Sequence, residues 1–320
     1  MQLVKDVNNI RIGIIGMTEG NGHPYSWSAM FNKYNKEAMS AECPFPVIPV
    51  YLNKENYDTM GIPGAKIEVI YCNDRKDAEH VAKCSLIPTI VDKPEDMIGM
   101  VDAVIIATDI GSEHVERAKP FIEAGLPIFI DKPLCDKKED LEFFKNAIAN
   151  GAKIISSSSM RYCKEFIPFQ NGKIREVGTP RLMTINMCKS WEAYGIHALE
   201  AIYPIAGPGF VSVRNIGEDQ NRNIVHLKHR NGFDVIIGSI YDMIFDPTIT
   251  ITGTQGVIQL KTTDSYFSFR LQLVKFIEYL RTGIPPVPFS ETDELMQLVI
   301  GGIISKKQNG REVFLNELVK

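Results

Sequence analysis

Short apolar runs and amphipathic segments alternate along the first half of the chain. The runs 10–15, 101–107 and 127–130 predict buried strands, because a strand covered on both faces is mostly apolar. Residues 66–72 are a second β-like run, and residues 153–158 predict a further strand. Strands of this kind belong to a parallel sheet inside a protein and not to its surface. The pattern therefore predicts that the first half is organised around one buried parallel sheet.

The segments between these runs predict helices. Val115, Ala118 and Ile122 recur at helical spacing, in a segment that Ser112 can cap and Gly125 can end. The other predicted helices cover 26–34 with Ser26 as the N-cap, 75–83, and a segment around 141–148 that Gly151 closes. Alternating strands and helices form βαβ units, so residues 1–155 are predicted to be a doubly wound α/β domain of the Rossmann type.

The second half has a different rhythm, in which β-branched and polar residues alternate. Strands are predicted at 180–187, 211–216, 223–229, 234–237, 248–253 and 257–261, and helices at 191–205, 268–282 and 291–307. The alternation is typical of an open, mainly antiparallel sheet with one face in water. Residues 156–320 are therefore predicted to be a second, α+β domain.

One segment fits neither the pattern of the first half nor that of the second. Residues 36–65 contain Pro44, Pro46, Pro49 and Pro63, which predict that no regular element forms there. Thirty residues exceed an ordinary connection between a helix and a strand. We expect a lid or an elaborated loop, with or without a short strand of its own.

Composition narrows the class of protein. The chain has 320 residues, 44% apolar and 23% charged, with a net charge of −4 and no basic block, so neither a nucleic-acid partner nor a membrane partner is expected. The six cysteines form no CxxC pair and no secretory signal is visible, which favours free thiols in the cytoplasm. No metal site is expected, because the usual ligand spacing is missing.

A glycine-rich turn follows the first strand. Gly16, Gly20 and Gly22 precede a helix, and such a turn can place the free N–H groups of the helix against a phosphate. The usual dinucleotide spacing needs glycine at 16, 18 and 21, but Thr18 and Asn21 stand at the last two positions. The turn therefore allows either dinucleotide binding or an ordinary tight turn.

Polar residues after the second strand do not decide between NAD and NADP as the cofactor. Asp74 could bind the adenosine ribose hydroxyls of NAD, and Asn73 lies beside it. Arg75 could instead meet the 2′-phosphate of NADP. All three residues could equally be a solvated start of a helix.

Two later segments carry candidate chemistry. Lys132 follows a predicted strand, at the edge where open α/β sheets bind ligands, and Asp131 beside it could hold the ammonium group. Alternatively, Lys132 is an ordinary surface lysine. His197 shares a helix face with Tyr194 and could exchange a proton near neutral pH, although a packing role is the commoner one for such a histidine.

Taken together, these segments resemble the Gfo/Idh/MocA (glucose–fructose oxidoreductase / inositol dehydrogenase) family over about residues 9–35 and 66–320. The resemblance rests on 104–108 followed by His114, on the Ala-Gly turn and Asp-Lys-Pro segment within 124–134, and on C-terminal segments that begin at Gly253. It implies hydride exchange between NAD or NADP and a sugar, sugar derivative or cyclic polyol, in a homodimer or homotetramer.

The resemblance also implies roles for individual residues. Lys132 matches the lysine that contacts the reacting hydroxyl, His197 matches the proton donor and acceptor, and Tyr194 is a further acid/base candidate. The expected cofactor-binding residues are Gly16, Thr18, Gly20, Gly22, His23, Asn73, Asp74, Arg75, Thr108, His114, Asp131 and Lys132.

The chain departs from the family where Ala193 occupies the position of an aspartate. That departure and the irregular glycine loop raise an alternative of another class, a catalytically impaired NAD(P)-binding sensor or scaffold of the same fold. Candidates for the substrate pocket are Arg161, Tyr162, Lys189, Trp191 and Tyr194.

Overall fold

The computed structural model describes residues 1–172, 174–219 and 221–318. The chain divides into two compact units that interleave along the sequence. Unit 1 contains Met1–Asp131, Phe143–Ser156 and Phe269–Pro286, and unit 2 contains Lys132–Glu142, Ser157–Ser268 and Val287–Lys320. The simple division into 1–155 and 156–320 stays a prediction, although one of the transitions lies at Ser156.

Unit 1 is built around a six-stranded parallel sheet. Its strands are β1 (Ile10–Ile15), β2 (Ala65–Tyr71), β3 (Thr89–Ile90), β4 (Ala103–Ile106), β5 (Ile128–Ile130) and β6 (Ile154–Ser156). Their order across the sheet is β3-β2-β1-β4-β5-β6, the order of a doubly wound dinucleotide-binding sheet. The predicted fold class is confirmed. The two-residue strand β3 was not predicted, because it is too short to carry a pattern.

The helices of the first half are α1 (His23–Asn32), α2 (Lys36–Glu42), α3 (Val47–Leu52), α4 (Arg75–Ser85), α5 (His114–Glu123) and α6 (Lys138–Ala149). The predicted start of α1 at Ser26 is wrong. Gly22 is the N-cap and Pro24 lies in the first turn, where a helix does not need its N–H. Ser112 likewise does not cap α5, because a short 3₁₀ helix, Gly111–Glu113, precedes it.

The prediction of no regular element in 36–65 is also wrong, since α2 and α3 lie there. The side chain of Asn35 caps α2 by accepting from the backbone N–H groups of Glu37 and Ala38. Pro46 is the N-cap of α3 and Pro49 lies in its first turn. A proline in a first turn interrupts no helical hydrogen bond, because those N–H groups have no partner within the helix.

Unit 2 contains a seven-stranded mixed sheet. Its strands are β7 (Pro180–Cys188), β8 (Phe210–Asn215), β9 (Arg222–His229), β10 (Asp234–Ile240), β11 (Thr248–Gly253), β12 (Val257–Lys261) and β13 (Val313–Phe314), in the order β12-β11-β7-β10-β9-β8-β13. Among the described residues of this sheet, only the β7–β10 pairing is parallel. Burial alternates along β9, where Val225 and Leu227 are buried and Ile224 and Lys228 are exposed. One face of the sheet is therefore exposed, as predicted.

The helices of the second half are α7 (Ile196–Ala206), α8 (Ser265–Thr282) and α9 (Phe289–Lys307). A π-helical turn, Trp191–Gly195, leads directly into α7. Its first residue, Trp191, is fully buried, and Nε1 of its indole donates to the carbonyl of Val299 at 3.0 Å. Single-turn π segments inside helices are common at functional sites.

Aromatic packing and one ion pair tie unit 1 together. The rings of Trp27 and Phe129 stack at 5.4 Å, and Phe129 packs against Phe276 at 5.6 Å. Asp102, just before β4, accepts from the backbone N–H of Arg11 at 2.9 Å and from its guanidinium at 2.9 and 3.1 Å. These bonds join neighbouring strands at the end of the sheet where β1 and β4 begin.

Candidate functional site

The glycine-rich turn in unit 1 is held by contacts that only glycine permits. A Cβ on Gly16 would lie 2.3 Å from Cγ of Pro24, and one on Gly22 would lie 2.6 Å from Cδ1 of Ile48. Gly20 has φ of +75°, in the left-handed region that glycine favours. Three glycines therefore shape this turn although their spacing is unusual.

The structure corrects the expectation that the N–H groups of the helix face a phosphate. The backbone N–H of His23 donates to the side chain of Asn21 at 2.9 Å, and Pro24 has no N–H. The N–H of Tyr25 donates to the carbonyl of Gly22 at 3.1 Å. Because the first turn of α1 is already used, recognition of a phosphate would depend on the backbone between Gly16 and Gly20.

Asp131, at the end of β5, is the centre of a buried polar cluster. It is 1% exposed, and its Oδ2 lies 2.7 Å from Nδ1 of His23 and 3.3 Å from Nδ2 of Asn21. The ring of His23 stacks on Trp27 at 4.3 Å. Asn21 also donates to the carbonyl of Ala107 at 3.0 Å. The cluster therefore binds the glycine turn to the ends of β4 and β5.

Thr108 follows β4 at the same edge of the sheet. Its hydroxyl oxygen is buried and has no hydrogen-bond partner in the described part of the chain. The carbonyl of Thr108 is 2.9 Å from Nε2 of His114, which is fully buried. Thr18 donates to Asp109 at 2.6 Å. A buried hydroxyl without a partner fits a site that a polar ligand completes.

The residues after β2 have partners within the protein. The carboxylate of Asp74 accepts from the backbone N–H of Lys76 at 2.8 Å and caps α4. Arg75 pairs with Glu79 and Asp92. Asn73 accepts a 3.4 Å bond from Arg117. Their roles towards a ribose or a 2′-phosphate stay predictions.

Unit 2 brings together the three predicted catalytic residues. Lys132 is the residue after Asp131 and is joined to Pro133 by a cis peptide bond. It is 2% exposed, and its ammonium lies 5.5 Å from the ring centroid of Tyr194. The same ring packs edge-on against His197 at 4.8 Å. Lys132 is therefore not an ordinary surface lysine.

Ser158, which the sequence analysis did not select, holds His197. Its hydroxyl oxygen lies 2.6 Å from Nδ1 of the imidazole and accepts from the N–H of Met160 at 3.1 Å. A hydroxyl has one hydrogen and two lone pairs, so Ser158 can donate to Nδ1 or accept from it. The signal that could have found it is the run of serines at the end of the last parallel strand.

A buried ion-pair network lies next to Ser158. Oε1 of Glu200 is 3.4 Å from the N–H of Ser158, and Glu200 pairs with Arg161. Arg161 also pairs with Glu291 at 2.7 Å. Burial raises the pKa of Glu200, and Arg161 opposes this shift. Burial alone would lower the pKa of Arg161, but the two carboxylates raise it above its usual value.

The candidates for the substrate pocket differ in how deeply they are buried. Arg161, Tyr162 and Trp191 are buried, and burial raises the pKa of Tyr162 to about 12. Lys189 and Tyr194 are only partly buried and adjoin each other, with the Lys189 ammonium 4.5 Å from the ring centroid of Tyr194. These two are the candidates that the structure brings beside Lys132 and His197.

The first half of the chain can be assigned by its sequence. Residues 10–158 match the family described as the oxidoreductase family with an NAD-binding Rossmann fold, Gfo/Idh/MocA. Over these residues the chain is similar to the Gfo/Idh/MocA family. The match confirms the predicted family, the NAD-binding Rossmann fold, the nicotinamide cofactor and the class of oxidoreductase. A search of curated protein sequences finds no match.

Solved structures extend the likeness to both halves of the chain. The apo scyllo-inositol dehydrogenase from Lactobacillus casei is 14% identical, with a TM-score of 0.73 over 98% of this chain and 100% of that one. A myo-inositol dehydrogenase from Corynebacterium glutamicum is 17% identical, with a TM-score of 0.70 over 96% and 99%. An oxidoreductase from Agrobacterium radiobacter in complex with NAD+, L-tartaric acid and magnesium is 15% identical, with a TM-score of 0.74 over 97% and 99%. At such identities the likeness shows the fold.

The described residues contain neither a cluster arranged for metal binding nor a helix suited to span a membrane. No group of three or more His, Cys, Asp or Glu side chains in these residues is arranged to hold a metal ion. No described helix has the length and apolar character needed to cross a bilayer. All six cysteines are free thiols.

Proposed function

We propose that the protein is an NAD(P)-dependent oxidoreductase that exchanges a hydride with a hydroxyl or keto carbon of a sugar, sugar derivative or cyclic polyol. The observation that carries the proposal is the convergence of Lys132 and His197 on the ring of Tyr194. The family supplies the cofactor class, and structural neighbours named as inositol dehydrogenases support the substrate class. No observation favours the alternative of a catalytically impaired sensor.

The residues of unit 1 fit a nicotinamide cofactor. The backbone of Gly16, Thr18 and Gly20 would hold the pyrophosphate, and the unpartnered hydroxyl of Thr108 would gain a partner. Asn73, Asp74 and Arg75 are proposed for the adenosine end, and His23, Gly22, His114 and Asp131 for shaping the site. When bound, the cofactor supplies the hydride acceptor or donor.

Lys132 is proposed to bind the oxygen of the reacting carbon. Its ammonium is buried, and a fixed positive charge in a site with little water stabilises a developing alkoxide more strongly than water does. The face of the Tyr194 ring, 5.5 Å away, favours a cation at this position.

His197 is proposed to exchange the hydroxyl proton. Ser158 engages Nδ1 of the imidazole, so the proton exchange is assigned to Nε2. With Nδ1–H donating to Ser158, Nε2 can accept a proton during oxidation. With Ser158 donating to Nδ1, Nε2 carries the proton needed for reduction. Tyr194 is the second acid/base candidate.

Two further expectations belong to this proposal. Six free thiols suit a reducing compartment, which supports a cytoplasmic location. Ile224 and Ile236 are exposed on the open face of the unit 2 sheet, which supports a homodimer or homotetramer.

The substitution Lys132→Met tests the proposal. Loss of the ammonium is expected to lower turnover about 100- to 1000-fold, the usual effect of removing one group that stabilises an oxyanion. Binding of the cofactor, measured by calorimetry, should be kept. Lys137→Met changes an exposed lysine of the same loop and is the matched control. Unchanged turnover in Lys132→Met would refute the assignment.

A further inference from the structure

A second ammonium group lies beside the ring that Lys132 contacts. Nζ of Lys189 is 4.5 Å from the ring centroid of Tyr194, and Nζ of Lys132 is 5.5 Å from the same point. Two positive charges therefore adjoin one aromatic side chain. The proposed mechanism uses Lys132 but gives no role to Lys189.

The backbone of Lys189 is held in an unusual conformation. Its φ is +59°, in the left-handed region, which a residue with a side chain rarely adopts. Its N–H donates to the carbonyl of Tyr241 at 3.3 Å, and its carbonyl accepts from the hydroxyl of Ser239 at 3.0 Å. Strained residues persist where their surroundings fix them, and they cluster at binding sites.

Lys189 also differs from three other lysines of unit 2 in its charge environment. Lys164, Lys228 and Lys261 form ion pairs with carboxylates at 2.9–3.1 Å. Within the described residues, no carboxylate forms an ion pair with Lys189. A lysine ammonium that is partly buried and has no carboxylate beside it is a favourable place for the anionic group of a ligand.

We infer that the substrate carries a carboxylate or phosphate group that Lys189 binds, while Lys132 and His197 act on its hydroxyl. This inference rests on the proposed function, because it concerns the same site. Both ammonium groups adjoin the ring of Tyr194, so one small molecule can reach both. The substrate is then an acidic sugar or polyol and not a neutral one.

Matched substrate pairs test the inference in the wild-type protein. D-glucuronate, D-galacturonate and D-gluconate each differ from D-glucose, D-galactose and D-glucitol by one carboxylate, and D-glucose 6-phosphate and D-galactose 6-phosphate provide the phosphate arm. Reduction of NAD and NADP is followed for each compound. Calorimetry of the cofactor-loaded protein measures binding independently of turnover.

The variant Lys189→Gln removes the charge and keeps a polar side chain, shorter by one atom along the chain. We expect it to lower kcat/KM and affinity for the acidic compound about ten- to hundredfold, the range for a charge-assisted hydrogen bond, and to leave the neutral partner within about twofold. Lys189→Arg should recover most of the loss. Lys261→Gln, which removes a lysine paired with Asp246, is the control.

The outcomes separate this inference from the proposed function. Acidic compounds that bind through Lys189 but are not oxidised support the inference and contradict the proposed reaction. If neutral compounds are oxidised at the same rate as their acidic partners, and Lys189→Gln affects both equally, the inference is overturned and the proposed reaction stands. The absence of any binding preference for the charged compounds also overturns it.

Discussion

At the scale of single residues, the partner of a catalytic imidazole decides how it is oriented. A carboxylate at Nδ1 would fix the proton on that nitrogen, whereas the Ser158 hydroxyl can donate or accept. The chain has Ala193 where its family resemblance implies an aspartate. We therefore treat Ser158 as a positioning residue for His197.

The substitution Ser158→Ala tests this role. We expect kcat to fall about 10- to 100-fold with little change in KM, because the imidazole loses its orientation and not its contact with substrate. Ser158→Thr keeps the hydroxyl and should recover most of the activity. Ser159→Ala, at the neighbouring serine, is the control. A purely structural role would be shown if the loss of kcat came with a matching loss in the free energy of unfolding and if threonine recovered neither.

The residue types in the sequence identified the catalytic candidates, but not the side chains that contact those candidates. Lys132 and His197 are visible in the sequence because each lies in a recognisable local segment. Ser158 contacts His197 across 39 positions, and such a pairing has no local signal. Asp74 shows the opposite case, because its capping bond to Lys76 is local and competes with a role towards a ribose.

At the scale of elements, the contact between Arg11 and Asp102 links β1 to β4. The hydrogen bonds from Arg11 lower the pKa of Asp102, although burial opposes them. A carboxyl group with a lowered pKa stabilises the fold above its ordinary pKa of about 3.9, and this contribution is lost as the pH falls through the lower folded value. The contact should therefore weaken in acid.

Asp102→Asn should lower the free energy of unfolding by about 1 kcal/mol at pH 7, a value that allows for the exposure of Arg11. The deficit should be constant above about pH 5 and shrink as the pH falls below about 3.9 towards the lower folded pKa, because the wild-type carboxylate then becomes protonated. Urea unfolding at several pH values measures it. Asp96→Asn, at an exposed acid, is the control. A deficit that does not change with pH would contradict the electrostatic explanation.

Periodicity predicted most strands and helices of the first half. It did not predict helices in which the effect of a proline depends on its position in the helix. The strands of the parallel sheet other than β3, and helices α4 and α5, carry clear patterns, and the structure contains them. Helices α2 and α3 lie in the segment that its prolines predict to be irregular. No proline lies within α2, and the prolines next to α3 lie before that helix or in its first turn, where the chain needs no N–H.

At the scale of the whole molecule, binding of the cofactor should be visible as stability. A ligand that binds only the native state at 100 times its Kd adds about 2.7 kcal/mol, so NAD or NADP should raise the Tm by several degrees. Thr108→Val should leave the Tm of the free protein unchanged or higher, because it removes a buried hydroxyl without a partner, and should reduce the shift. Adenosine, which lacks the pyrophosphate, is the control. No shift with either nucleotide would contradict the site.

The interleaving of the two units has a consequence for synthesis of the chain on the ribosome. Unit 1 needs Phe269–Pro286, which supplies Phe276 against Phe129 and Arg281 donating to the carbonyls of Val7 and Pro63 at 3.0 and 2.6 Å. A nascent chain that has emerged only to residue 155 lacks these groups, so Phe129 is left partly uncovered. The nucleotide-binding half can thus reach its final packing only after most of the polypeptide has been translated.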